Sequence, residues 1–208
     1  MEKTYQNYQE LHRASIENKE NFWKEQSKRI DWFEEPQTIL DKTNPPLYKW
    51  YSDGTTNITY NCLDRHAKTT PDKTAFIYEG PIAKEQKKIT YKELLDLVEK
   101  FAGSLKLQNL QKGDTAIIYM PMVIETAVAM LACARIGVIH SVVFGGFSAK
   151  ELASRIKDCK PKLIISSTCG LEPHKVVKYP DMIREAIKIS KQKLNVIYLR
   201  RKQHEIEL

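Results

Sequence analysis

No stretch of these 208 residues approaches eighteen consecutive apolar side chains, so nothing in the sequence is a candidate membrane-spanning helix. Glycine is scarce, eight residues in all, and the glycines form neither GxGxxG nor a Walker phosphate loop. HExxH, GxSxG and carboxylates paired at glycosidase-like positions are missing as well. These absences remove the motif grounds for a dinucleotide-binding enzyme, a P-loop NTPase, a zinc protease or an α/β-hydrolase. The four cysteines, Cys62, Cys133, Cys159 and Cys169, show no CxxC and no regular spacing, and three lie in apolar or helical stretches. That pattern excludes a disulfide-stapled miniprotein and reads as reduced, structural thiols. Met1-Glu2-Lys3 leads into mixed charge rather than an apolar signal core or an acid-free, arginine-rich presequence. The expected compartment is the cytoplasm; a mitochondrial site without a recognisable presequence is the alternative.

What is present is ample for a core. With 42% hydrophobic residues, a chain of this length buries roughly 70% of the surface it exposes when unfolded. The 28% charged residues balance to a net +7, and the imbalance is local: residues 159–208 hold 11 basic and 5 acidic side chains. A basic segment of this kind suits a polyphosphate, a nucleic acid or an acidic protein. A solvated lysine face is the reading favoured here, and no nucleic-acid partner is expected.

The pattern changes near residue 60. Residues 1–60 are rich in rings, among them Tyr5, Phe22, Trp23, Trp32, Phe33, Trp50 and Tyr51, without steady periodicity. One helix is expected around Glu17 to Arg29, and extended chain elsewhere, broken at Asn44-Pro45-Pro46 and Asp53-Gly54. Such an arm is expected to lay its rings on another surface, either the rest of this chain or something outside it, rather than form a core of its own.

Residues 61–208 are regular. A short helix at Asn61–His66, a strand Thr74–Tyr78 answered by Ile89, and a capping box at Thr90-Tyr91-Lys92-Glu93 introduce a helix striped by Leu94, Leu95, Val98, Phe101, Ala102 and Leu105. Apolar strands at Thr115–Tyr119, Val138–Phe144, Leu163–Ser167 and Asn195–Leu199 then alternate with helices, one of them opening on a second capping box, Ser148-Ala149-Lys150-Glu151. The expected fold is α/β, a mostly parallel sheet with helices on both faces, preceded by the aromatic arm.

In such sheets ligands bind beyond the carboxyl ends of the strands. Phe144-Gly145-Gly146 stands at one of those ends, before a capped helix, where a bare backbone can approach an anionic ligand; taken alone, a Gly-Gly pair is more often a tight turn needing positive φ. His140 reads as a hydrogen-bonded core histidine, having no triad partner nearby. Cys62 and His66, four apart, read as packing rather than zinc ligands, and Glu125 as a charge complementing a helix start. The polar loop Gly170–Lys175 either touches a substrate or merely turns.

Several stretches together carry a resemblance: Asn21-Phe22-Trp23, Lys49-Trp50-Tyr51-Ser52-Asp53-Gly54, Asn61-Cys62-Leu63-Asp64-Arg65-His66, Tyr119-Met120-Pro121-Met122, Ala127 to Gly137, and His140-Ser141-Val142-Val143-Phe144-Gly145-Gly146-Phe147. From about residue 20 to residue 199 the sequence resembles the N-terminal region of short-chain AMP-forming acyl-CoA synthetases. Cys169-Gly170-Leu171-Glu172-Pro173 is more similar to the propionyl-CoA than to the acetyl-CoA branch. The resemblance implies a partial adenylate-forming domain over 61–208 behind an acetyl-CoA-synthetase-type arm over 1–60. It also implies joining a short acid to ATP and passing the acyl group to CoA. Phe144, Gly145 and Gly146 would lie along the CoA nucleotide, with the loop after Ser167 nearby. Where acetyl-CoA synthetases place arginines in that loop this sequence has Glu172 and Lys175, so Lys175 is the cation left for phosphate.

The similarity spans about a third of the family's length. The family's phosphate loop, acid pocket and adenylating lysine lie outside it, so the expectation is no catalysis by this stretch alone, weak CoA binding, and ATP with Mg²⁺ only in a complete enzyme. Two roles follow: the N-terminal, truncated portion of a ligase completed by a second chain or by missing sequence, or a non-catalytic structural subunit in a larger assembly. Either predicts protein partners, with the interface on the arm or beside the final strand, Asn195–Leu199.

Overall fold

The computed structural model describes residues 7–203. Tyr5 and the end of the charged tail, residues 204–208, lie outside them. The chain divides into two compact units that meet between Asn61 and Cys62.

The first unit begins with helix α1 (Tyr8–Glu17), whose N-cap Asn7 accepts the Glu10 backbone N–H on its side chain at 2.9 Å. Helix α2 (Lys19–Ser27) follows after Asn18, and β1 (Leu40–Asp41) pairs antiparallel with β2 (Lys49–Trp50). The helix expected around Glu17 to Arg29 is α2, and α1, which buries no residue, precedes it where extended chain was expected. The rings meet one another, although Trp23, Phe33 and Trp50 keep exposed faces. Trp23 meets Trp50 at 5.9 Å, Trp32 meets Tyr51 at 5.4 Å and Phe33 meets Tyr60 at 5.4 Å. Phe22 and Ile39 are buried beside them. Polar atoms tie the same segments: Tyr51 Oη donates to the Trp23 carbonyl at 2.9 Å, and Asn61 Nδ2 to the Asp31 carbonyl at 3.0 Å. Partners brought from nineteen or more residues away form ring contacts around buried Phe22 and Ile39 that no local period reveals.

A π-helical turn (Tyr60–Asp64) contains the division and runs into α3 (Arg65–Thr69) of the second unit. Strand β3 (Thr74–Gly80) pairs antiparallel with β4 (Glu85–Thr90), Phe76 opposite Ile89 as expected. The Thr90 capping box forms in full, Glu93 N–H to Thr90 Oγ1 at 3.2 Å and Thr90 N–H to Glu93 Oε2 at 2.8 Å, and opens α4 (Tyr91–Leu107). Then follow β5 (Thr115–Met120), α5 (Ile124–Arg135), β6 (Ile139–Phe144), α6 (Ala149–Cys159) and β7 (Leu163–Ser167). A hairpin of β8 (Cys169–Glu172) and β9 (Lys175–Lys178) precedes α7 (Tyr179–Ser190) and β10 (Asn195–Leu199). The segment read as a polar loop is thus a two-stranded hairpin turning at Pro173-His174, too short and too polar to signal strands by alternation.

Four strands make one parallel sheet in the order β10-β7-β5-β6. Alternate residues of β5 and β7 face opposite layers. Ala116, Ile118, Met120, Leu163 and Ile165 pack against α4 and α5; Ile117, Tyr119 and Ile164 pack against α6 and α7 through Leu152, Ile156 and Ile183. Each fully buried Leu or Ile contributes roughly 2 kcal/mol of apolar transfer, which is why the central strands read as unbroken apolar runs. Arg135 on α5 joins this layer by pairing with Asp64 at 2.7 Å and with Glu99 of α4 at 2.9 Å.

The edges differ from expectation. The final strand, β10, lies at one edge, but β6 lies at the other, and its Ile139, Val142 and Phe144 are exposed. The run Val138–Phe144 is therefore a half-covered edge strand rather than a buried one. Strand order follows crossovers rather than sequence, and β5 takes the centre. Among the described residues no helix is long and apolar enough to cross a membrane.

Candidate functional site

Beyond the carboxyl ends of β5 and β6, a pocket of about 450 Å³ opens between the turn after β6, the β8–β9 hairpin and the connection from β3 to β4. Phe144, Gly145 and Gly146 line it together, with Gly170 and Tyr179 facing them. Its walls are largely apolar, from Ile82, Met120, Pro121, Val123, Leu171 and Val177.

The reason for the glycines is packing. Neither Gly145 nor Gly146 has positive φ; that conformation belongs to Gly113 and Gly137. A Cβ on Gly145 would press into the hydroxyl of Tyr179, with ring carbon Cζ 2.9 Å away and the Met120 carbonyl oxygen at 3.2 Å. A Cβ on Gly170 would press into the same hydroxyl. Tyr179 is therefore a wedge, the first residue of α7, buried between two backbones that must be bare where it passes. Its ring centre stands 5.0 Å from that of Tyr119, whose hydroxyl donates to the Phe147 carbonyl at 2.7 Å and lies 3.2 Å from that of Gly145. Burial pushes both phenols up to about 12; Tyr119 is raised further by its neighbour, while the charge of Arg201 pulls Tyr179 partly back. Both are neutral at physiological pH and act as fixed hydrogen-bonding rings. The Phe144 ring, in contrast, is 66% exposed at the pocket mouth.

Lys175 is not brought into the lining. It sits on β9 with Nζ 3.3 Å from Glu172, both side chains largely exposed. The cation that does line the pocket is Arg201, placed by sequence reading in an undifferentiated charged tail. Its backbone N–H donates to Thr168 Oγ1 at 3.0 Å and its Nη1 to the Cys169 carbonyl at 3.3 Å. Tyr179 was missed as well. Nothing local marks either residue, because each reaches the pocket through crossovers.

The remaining candidates fall elsewhere. His140 is half-buried on edge strand β6, its pKa lowered by burial against a raising hydrogen bond to the Val138 backbone. Cys62 is exposed, and among the described residues no three His, Cys, Asp or Glu side chains cluster to hold a metal. Glu125 lies in the first turn of α5. Bare backbone, the neutral Tyr179 phenol, one guanidinium and the carboxylates of Glu79 and Glu172 are what the largely apolar lining offers a ligand.

Residues 63–206 match the family model described as AMP-binding enzyme, and residues 8–62 that of the acetyl-coenzyme A synthetase N-terminus. Similar proteins include an acetyl-coenzyme A synthetase of Rhizobium meliloti, 50% identical over 88% of this chain and 28% of that protein. Another is the mitochondrial acyl-CoA synthetase short-chain family member 3 of Bos taurus, 42% identical over 92% of this chain and 28% of that protein. The chain thus spans little more than a quarter of the length of the curated relatives it matches. Among solved structures, the acetoacetyl-CoA synthetase of Streptomyces lividans superposes with a TM-score of 0.89, covering 99% of this chain and 32% of that one. At 23% identity this last likeness speaks for the fold alone.

Proposed function

We propose, for a chain that belongs to the AMP-binding enzyme family and carries an acetyl-coenzyme A synthetase N-terminus, that it supplies the CoA-facing part of a short-chain acyl-CoA synthetase. The chain corresponds to the N-terminal portion of such enzymes. The reaction proposed for the whole is activation of a short carboxylic acid by ATP to an acyl-adenylate and pyrophosphate, followed by acyl transfer to the thiol of CoA. The single observation that carries the CoA role is the pocket at the strand ends, where Phe144, Gly145 and Gly146 form one wall and Arg201 is the lining cation.

Within this stretch the residues bind and orient. Tyr179 holds the turn after β6, Tyr119 ties its carbonyls, and the apolar walls exclude water from an uncharged ligand arm. Adenylation requires donors and cations placed around the phosphates. With no suitable cluster among the described residues, Mg²⁺ and ATP are assigned to the rest of the enzyme. The partner proposed is protein, the remaining part of the enzyme in the same or a companion chain, and the edge strands β6 and β10 fit its attachment. The compartment proposed is the cytoplasm; the mitochondrial relatives support the mitochondrion as the alternative.

The test uses residues 1–208. CoA should bind weakly, because a few contacts must offset the full cost of association. Phe144→Ala, which removes an exposed ring, should abolish that binding without shifting the unfolding midpoint. No acetate- or propionate-dependent exchange of pyrophosphate into ATP is expected. Tight CoA binding indifferent to Phe144→Ala would refute the assigned pocket, and reproducible exchange would refute the division of labour.

A further inference from the structure

We propose that Arg201, and not Lys175, meets the phosphate of the ligand at this pocket, as the hinge between an apolar compartment and a basic one; the inference rests on the CoA reading above. Three charged residues line the apolar pocket: Glu79, Glu172 and Arg201. Glu79 accepts from Gln86 Nε2 at 3.1 Å and Glu172 is paired with Lys175, which is 65% exposed and outside the lining. An anion entering the pocket thus finds one cation in its lining, while Lys175 stands outside it in an exposed pair with Glu172.

Arg201 is also held in place. Thr168 donates its N–H to the Leu199 carbonyl at 2.9 Å and receives that of Arg201 on Oγ1 at 3.0 Å, a reciprocal pair that locks the ends of β7 and β10 together. The bond from Nη1 to the Cys169 carbonyl aims the guanidinium toward the hairpin. A guanidinium carries five N–H donors in a rigid fork, and among the described residues this is the one side-chain bond recorded for it. Anchoring of this kind removes much of the ordering cost that a lysine on an exposed hairpin would bear.

A second cavity of about 320 Å³ adjoins Arg201 on its other side. Lys87, Arg200 and Lys202 line it against Glu85 and Glu125. Counting Arg201, cations exceed carboxylates there by two. The two cavities share Tyr78, Val123 and Arg201. A ligand with an uncharged arm and a phosphorylated end is served in order: the arm against the apolar walls, the first phosphate on Arg201, further negative charge toward the basic side. CoA has this layout, its uncharged pantetheine arm joined to a pyrophosphate and a ribose phosphate.

The decisive experiment titrates CoA, dephospho-CoA and pantetheine against the wild-type chain, Arg201→Gln, Arg201→Lys and Lys175→Gln by ligand-observed NMR at two salt concentrations. Loss of one charge-assisted contact should weaken CoA at least about tenfold in Arg201→Gln. The same variant should flatten the salt dependence and leave pantetheine unchanged, with Arg201→Lys in between. Lys175→Gln should stay within about twofold of wild type for CoA, since its cation is already paired. An equal fall for dephospho-CoA assigns the pyrophosphate to Arg201, whereas a fall confined to CoA assigns the ribose phosphate. Unchanged CoA binding in Arg201→Gln, or loss confined to Lys175→Gln, overturns the inference and leaves the CoA pocket standing. Parallel loss of pantetheine binding in Arg201→Lys, whose circular dichroism stays that of wild type, also overturns it. A wild-type chain that binds none of the three compounds refutes the CoA reading itself, and this inference with it.

Discussion

Replacing Gly145 with alanine tests whether Tyr179 is what keeps the site backbone bare. The new methyl carbon would overlap the phenol oxygen, lie 2.9 Å from Cζ and sit 3.2 Å from the carbonyl of Met120. None of these neighbours is the free end of a mobile chain. Tyr179 is 4% exposed, backed by the Tyr119 ring, and flanked on its far side by Gly170, which leaves it no room either. The strain must go into the turn or the start of α7, and overpacking of that kind costs about 1–3 kcal/mol. Tyr179→Phe removes the oxygen that both glycines accommodate but leaves Cζ in close contact, so relief should be partial. The two changes together should therefore destabilise less than the sum of the singles, with a coupling of about 0.5–1.5 kcal/mol. Urea unfolding followed by circular dichroism gives the three differences, at concentrations low enough that the midpoint does not depend on concentration. Additivity within about 0.3–0.5 kcal/mol would refute the wedge and return Gly145 to the role of ligand approach.

Acidification should destabilise the protein before its carboxylates titrate. Burial holds the folded pKa of His140 below the ordinary 6.5, so the unfolded chain takes up a proton that the folded chain resists; stability is lost as pH falls through 6.5 toward the lower folded value. His140→Gln should flatten the melting temperature between pH 7 and 5.5, and an unchanged slope would contradict this. Lower still, Asp114 and Glu93 are held below their usual range, Asp114 chiefly by Lys162 and Glu93 by the Thr90 backbone N–H. Their contribution is present above the ordinary carboxylate pKa and lost as pH falls through the folded values, which Asp114→Asn should reduce in acid titrations of stability. Finally, the unpaired β6 edge should make the isolated chain self-associate at micromolar concentration. Val142→Lys, on the exposed side of that strand, should shift sedimentation velocity profiles toward monomer. Identical profiles for both proteins would place the association elsewhere.

The sequence announces the elements that rest on local periods and caps. Unbroken apolar runs at β5 and β7 reveal strands covered on both faces, the stripe from Leu94 to Leu105 reveals α4, and Thr90 with Glu93 marks where it begins. It also determined that Phe144-Gly145-Gly146 ends a strand near a pocket. It was silent where no period exists: α1 buries nothing, β8 and β9 are four residues each, and the rings of the first unit find their partners across long loops. Tertiary structure alone decided that β5 is central and β6 an edge, because right-handed crossovers set strand order independently of sequence order. It alone explained Gly145 and Gly170, since Tyr179 meets both only when α7 docks on the sheet, whereas a Cβ on Gly146 would press into the neighbouring Phe144 ring. It also exchanged Lys175 for Arg201 as the pocket's cation. Lys175 stands in a polar loop and Arg201 inside the basic run Arg200-Arg201-Lys202, so composition singles out neither, and only the pairing of β10 beside β7 carries Arg201 to the strand ends.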